Sequence, residues 1–274
     1  MNKKLAAVAF VLIFFSTVFA QEKSFSISLL PEKKLYPYYG ADMRAHRIAF
    51  SKLFKNNEVI GGLGGLFHVA NISYGNYEGQ FSVATTLYTQ LKVPYRQTQV
   101  INHDFFVDLL FDIELNPASV VRLGMGHTSQ HLSDDAFEVL GFTKSVDYVR
   151  DYYRLGYVYR TDLIKGFVYT DLNYIYNFKI NEKILQPWMI QLGTEALNTP
   201  ISEHLTAYVG VDIKMLQILN FASSQTYQLG IKYRNEHSDR TMRFALNYQA
   251  GKDERGQFYL QNSNWLTVGM YFEF

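Results

Sequence analysis

Period-two alternation runs through most of this chain, and it constrains the fold more than any other feature. Residues 205–214 place Leu205, Ala207, Val209, Val211 and Ile213 at one parity and Thr206, Tyr208, Gly210, Asp212 and Lys214 at the other. Residues 103–115 set Phe105, Val107, Leu109, Phe111 and Ile113 against Asp108, Leu110, Asp112 and Glu114. Residues 226–233 and 242–248 repeat the pattern, with Tyr227, Leu229, Ile231 and Tyr233, then Met242, Phe244, Leu246 and Tyr248, on the apolar side. Successive side chains of a strand point to opposite faces, so each stretch reads as a strand with one apolar and one polar face. Helical periodicity is hard to find after Gln21.

A soluble sandwich also alternates, so the direction of the apolar face has to be argued. The segments are about ten residues or longer, the length a tilted strand needs to cross a bilayer. Their apolar faces carry aromatics towards the ends, as at membrane interfaces, and the chain holds 21 Tyr and 21 Phe. The last segment, Leu266 to Phe274, is an amphipathic strand closing on Phe, an ending that resembles the C-terminal signature of bacterial outer-membrane barrels. Twelve candidate strands lie near 44–54, 58–72, 79–93, 103–115, 118–130, 150–161, 165–178, 186–197, 203–215, 223–235, 239–250 and 258–274. An even count suits a closed antiparallel barrel, and the short connections fall on the side of the terminal Phe. The expected fold is an all-β, transmembrane, up-and-down antiparallel barrel in the bacterial outer membrane.

Residues 1–20 read as a secretory signal: Lys3 and Lys4, an apolar run from Leu5 to Phe15, then Val18-Phe19-Ala20. Residues 21–43 form a short lead-in or plug with Leu29-Leu30-Pro31 and Tyr36-Pro37-Tyr38-Tyr39-Gly40, expected on the periplasmic side, and the barrel spans 44–274. No cysteine is present, which excludes a disulfide framework, thiol catalysis and a lipid anchor on cysteine. Without Lys3 and Lys4 the 26 basic residues fall to 24 against 25 acidic ones, so no basic excess invites nucleic acid. The inward faces carry both signs of charge: Arg47, Asp108, Asp112, Glu114, Arg122, Arg154, Arg160, Asp171, Glu195, Asp212, Lys214, Lys232, Arg243 and Glu273. These form either an ion-pair core or the lining of a selective pore. Gly61, Gly62, Gly64 and Gly65 lie in a strand pattern, where they relieve crowding or bend the wall.

The segment Leu123-Gly-Met-Gly-His-Thr-Ser-Gln-His131 is the most specific candidate site. Val121, Leu123, Met125, His127 and Ser129 share one face, lipid-suited at first and then polar; Arg122, Gly124, Gly126 and Thr128 share the other. On the next strand Tyr153, Leu155, Tyr157 and Tyr159 are lipid-type, and that face extends to Asp151. A serine needs a base and the base needs an orienting partner. Ser129 as nucleophile, His127 as base and Asp151 as orienter fill those roles, with His131 and Gln130 on the substrate side. The bland reading is that His127 and Ser129 are headgroup-solvated. Asp134, Asp135 and Glu138 follow in a loop that is either solvated or a source of hard oxygen ligands for calcium. His127, His131 and Asp135 are a less specific zinc alternative.

His127-Thr128-Ser129 resembles the outward His-x-Ser of outer-membrane phospholipase A and of PagL-type lipid A deacylases. Those families complete the triad about a dozen residues after the serine; position 141 here is Gly, so Glu138 or Asp151 must substitute. The longer run to Leu132, Asp134 and Asp135 resembles the His-x-Ser-Ser-His-Leu-Gly-Asp-Glu motif of a family of outer-membrane barrels with no assigned activity. Leu29-Leu30-Pro31, Ala41-Asp42-Met43-Arg44 and Arg150-Asp151 add to that likeness. The resemblance implies a serine-dependent acyl hydrolase acting on outer-membrane lipids, with a homodimer expected by analogy. The alternative is a barrel without enzymatic activity: a channel, an adhesion surface or a scaffold.

Overall fold

Alternating strands with an apolar outer face can satisfy every backbone group in a bilayer only by closing on themselves. The computed structural model does so; it describes residues 24–93, 97–146, 148–179, 186–234 and 239–274. The signal-like residues 1–20 lie outside these. The strands are β1 (Phe25–Leu29), β2 (Ile48–Leu53), β3 (Glu58–Tyr74), β4 (Tyr77–Lys92), β5 (Gln99–Asn116), β6 (Ser119–Leu132), β7 (Tyr148–Thr161), β8 (Gly166–Lys179), β9 (Trp188–Pro200), β10 (Leu205–Leu216), β11 (Ser223–Arg234), β12 (Thr241–Lys252) and β13 (Asn262–Glu273). Strands β2 to β13 pair antiparallel in sequence order, and β13 returns to β2, closing a twelve-stranded ring. Each of the twelve expected strands is present. A short helix α1 (Asp134–Glu138) follows β6. No helix among the described residues is long and apolar enough to cross a membrane.

The thirteenth strand has a local cause. β2 is only six residues long and pairs with β3 at Val59–Gly62 alone. That leaves the far end of β3 with a free edge, and β1 covers it, pairing Phe25–Leu29 with Ala70–Tyr74. The β2–β3 hairpin turns through Asn56 and Asn57 at φ 68° and 52°. Asparagine tolerates the left-handed backbone that such tight hairpins require.

One rim of the ring holds the Gly75, Pro117, residue 162–165 and residue 201–204 turns together with Phe274; the opposite rim holds the C-terminal ends of β4, β6, β8, β10 and β12. We call these the turn rim and the loop rim. The outer wall is apolar and aromatic, with Leu123, Tyr153, Tyr174, Leu229 and Phe244 among the exposed side chains. The inner wall is polar, with Asp108, Asp112, Arg122, Asp171, Asp212 and Gln228 buried.

Twelve strands enclose more space than wall side chains alone fill, and residues 35–47 occupy part of it. Leu35, Tyr36 and Tyr39 pack on Val120, Val158, Phe167 and Tyr169 of β6–β8, and Tyr39 stacks on Tyr169 at 3.5 Å. Arg122 lies 3.8 Å over the Tyr36 ring while its guanidinium grips Asp112 at 2.6 and 2.8 Å. Lys214 bonds Asp42 at 2.5 Å. Burial pushes the Asp42 carboxyl up, but the Lys214 ammonium overrides this and holds it well below the usual carboxylate range. The lumen charges therefore pair with one another and with the lead-in. This arrangement predicts no sustained porin-sized current from the wild-type protein in planar bilayers; a steady ohmic conductance would show that residues 35–47 leave the lumen.

Candidate functional site

β6 brings Val121, Leu123 and Met125 to the outer wall, then His127, Ser129 and His131 on the same face near the loop rim. The register places His127 directly opposite Asp151 of β7, and Asp151 opposite Asn177 of β8. His127 Nδ1 lies 2.6 Å from Asp151 Oδ1, and Asn177 Nδ2 donates to Asp151 Oδ2 at 2.6 Å. An ionised carboxylate only accepts, so Asp151 places the imidazole proton on Nδ1 and leaves the Nε2 lone pair available as a base. Among the described residues the His127 imidazole makes no other hydrogen bond.

Asn177 is absent from the sequence reading, and the reason is geometric. The β7–β8 register shifts between Asp151 and Tyr152, where Tyr176 is an extra residue on β8. This bulge breaks the period of two, so Tyr176 and Asn177 both face outward. Tyr176 rests against Tyr153 with ring centroids 4.8 Å apart, and Asn177 is left to clamp Asp151.

Ser129 does not bond His127. Its Oγ lies 2.6 Å from Nε2 of His131, the other histidine two residues along. His131 stands opposite His103 of β5, whose Nδ1 bonds Thr89 of β4 at 3.1 Å, and the Phe105 ring lies 6.4 Å from each of the two histidine rings. A belt of polar side chains thus crosses five strands, from Thr89 to Asn177, on a wall that is otherwise apolar.

Gln130 is not part of it. It has the opposite parity to Ser129, is fully buried in the lumen, and its backbone carbonyl accepts from Gln257. Of the two residues placed on the substrate side, only His131 shares the outer face.

The acidic loop is also not gathered around an ion. Ser133 caps α1 by accepting from Ala136 N, and Asp135 Oδ2 accepts from Val100 N at 2.8 Å. Asp135 is thus used to tie α1 to β5. Among the described residues no group of three or more His, Asp or Glu side chains is arranged to hold a metal ion, so neither Asp134, Asp135 and Glu138 nor His127, His131 and Asp135 form such a group.

A closed antiparallel ring with an apolar aromatic outer wall and a charged interior defines an outer-membrane-type β-barrel. The chain belongs to the family described as "Protein of unknown function (DUF1207)", which matches residues 13–274. No curated protein matches it. Among solved structures it is similar to outer membrane phospholipase A from Escherichia coli, with 14% identity over 83% of this chain and 89% of that one and a TM-score of 0.52. It is also similar to the Salmonella typhi outer membrane phospholipase dimer with bound calcium, with 13% identity, 89% and 95% coverage and a TM-score of 0.54. At these identities the likeness establishes the fold: a barrel of the outer-membrane type.

Proposed function

We propose that this barrel is an outer-membrane lipid-acyl ester hydrolase whose nucleophile is Ser129. The observation that carries the reading is the His127–Asp151–Asn177 relay on the outer wall, two residues along β6 from a serine on the same face. Residues two apart on a strand are about 6.6 Å apart at Cα. Rotation about χ1 then moves Ser129 Oγ from His131 towards the Nε2 of His127, and rotations of exposed side chains take picoseconds to nanoseconds. Hydrogen bonds of catalytic groups are often completed only when substrate is bound.

In this reading Ser129 Oγ attacks the ester carbonyl as His127 Nε2 takes its proton, and Asp151 stabilises the resulting imidazolium. His131, released from the serine, offers an N–H to the developing oxyanion. The tetrahedral intermediate collapses, the alcohol leaves with the proton from His127, and a water activated by the same imidazole releases the fatty acid. The substrate is a phospholipid or lipid A ester at the outer-leaflet boundary, because the site lies on the lipid-facing wall near the loop rim. Calcium and a second copy of the chain enter this reading only through the Salmonella typhi neighbour. The partly plugged lumen, with its charges paired, weighs against the channel alternative. Fatty-acid release from mixed micelles tests the proposal: wild type should turn over, Ser129→Ala should not, and equal release by both would refute it.

A further inference from the structure

Apart from the wall site, the lumen keeps a cavity of about 120 Å³ on the loop-rim side of residues 37–46. The connection between β12 and β13 folds over its mouth. Gln257 Nε2 donates to Gln130 O at 2.5 Å and to Val146 O at 2.6 Å, and Asp253 and Tyr259 contribute to the rim. The cavity is thereby shielded from the bilayer by the wall, so its contents come from the aqueous side.

Its charge is unevenly satisfied. Three of the four arginines lining it have a carboxylate within ion-pair distance: Arg44 with Asp104, Arg122 with Asp112, Arg154 with Asp171. Arg150 has none among the described residues. Its guanidinium touches the Met189 sulfur at 3.6 Å and lies 5.0 Å from the Tyr148 ring. The carboxylates that line the same space are committed elsewhere. Asp108 accepts from Tyr152 and pairs with His46 and Arg154; Asp42 and Glu254 hold Lys214; Asp253 holds Arg255.

Unmet donors collect beside Arg150. Asn173 pairs with Arg154 of β7 on one side and Met189 of β9 on the other, and it lines the same cavity as Arg150, Arg154 and Met189. Asn173 is 2% exposed, and its Nδ2 has no acceptor. Nε of Arg150 and Nε of Arg154, on the same inward face of β7, are also buried without partners. A half-buried cation with no carboxylate partner, beside a buried amide donor lacking an acceptor, favours a ligand that supplies negative charge and lone pairs. Water satisfies the amide but does not neutralise the guanidinium. An oxyanion does both, and a guanidinium fork matches its geometry.

We propose that this cavity binds a small soluble oxyanion, of the phosphate or carboxylate class, through Arg150, Arg154 and Asn173. The site is inside the barrel and independent of the hydrolytic reading of the outer wall. Calorimetric titration of the full-length barrel in detergent micelles tests it, using inorganic phosphate, sodium acetate and sodium chloride in separate runs. One saturable site for phosphate or acetate, beyond the chloride control, is expected; which of the two binds tighter identifies the class. Arg150→Gln should weaken that binding about tenfold or more. Asn173→Asp should abolish it, because the introduced carboxylate pairs with Arg150 and repels the anion. Retained heat-modifiable mobility on gels confirms that each variant is folded, and Asn173→Asp carries the test should Arg150→Gln not fold. No saturable binding of either anion to wild type, or undiminished binding by a folded variant, overturns the proposal.

Discussion

His127→Ala should lower fatty-acid release about 10³- to 10⁴-fold, whereas His131→Ala should lower it only about ten- to a hundredfold. Both histidines share the outer face with Ser129 and both stand two residues from it, so spacing alone does not choose between them. Their partners do. His127 Nδ1 is held at 2.6 Å by a carboxylate that is itself clamped by Asn177. That arrangement fixes the tautomer and stabilises the imidazolium formed when the serine proton is taken. His131 holds the serine itself at 2.6 Å and has no carboxylate partner among the described residues. It can store Ser129 in the resting state, but nothing offsets the charge it would acquire as base. Asp151→Asn should approach the His127→Ala loss, because an amide presents the wrong hydrogen-bonding pattern to Nδ1. Asn177→Ala should cost much less, since it removes a clamp and leaves the carboxylate. The four activities, measured in the same micelles with folding checked by gel mobility, decide the assignment. A greater loss in His131→Ala than in His127→Ala would make Ser129–His131 the working pair and leave Asp151 a structural role.

The wall of the barrel was legible because lipid outside and charge inside impose a strict parity, and Leu205 to Lys214 displays it without a break. The same parity puts His127, Ser129 and Asp151 on one surface. It was available for His131 too, and it argued against Gln130, whose parity is that of Thr128. Asn177 was not legible, since a bulge at Tyr176 is a local departure from the repeat on which the reading relied. β1 was not legible for a different reason. Its partner is the edge of β3 that a six-residue β2 leaves uncovered, a property of the closed ring rather than of residues 25–29. The docking of Asp42 among inward charges is likewise a consequence of the space twelve strands enclose, whereas Arg47 already read as an inward charge.

That docking predicts where the barrel is most fragile. Removing the Glu195 carboxylate with Glu195→Ala should cost about 3–5 kcal/mol of folding free energy. Glu195 is 2% exposed and lies between two cations, Lys232 at 2.6 Å and Arg243 at 2.5 Å. Arg243 continues to Glu273 at 2.9 Å, and Glu273 to Arg47 at 3.3 Å. Arg47 is fully buried and donates to Gly40 O and Asp42 O, so the same chain of charges reaches the lead-in. The chain alternates three cations with two carboxylates. Losing Glu195 leaves three cations with one carboxylate, and two of them, Arg47 and Arg243, are buried away from bulk water. A buried charge without its partner is costlier than the absence of the whole pair. The double variant Glu195→Leu, Arg243→Met should therefore recover much of the loss, even though it removes more polar contacts. Urea unfolding in detergent, followed by tryptophan fluorescence and gel mobility, measures both. A single variant as stable as wild type would mean that water enters this part of the lumen freely, and that residues 35–47 do not seal it.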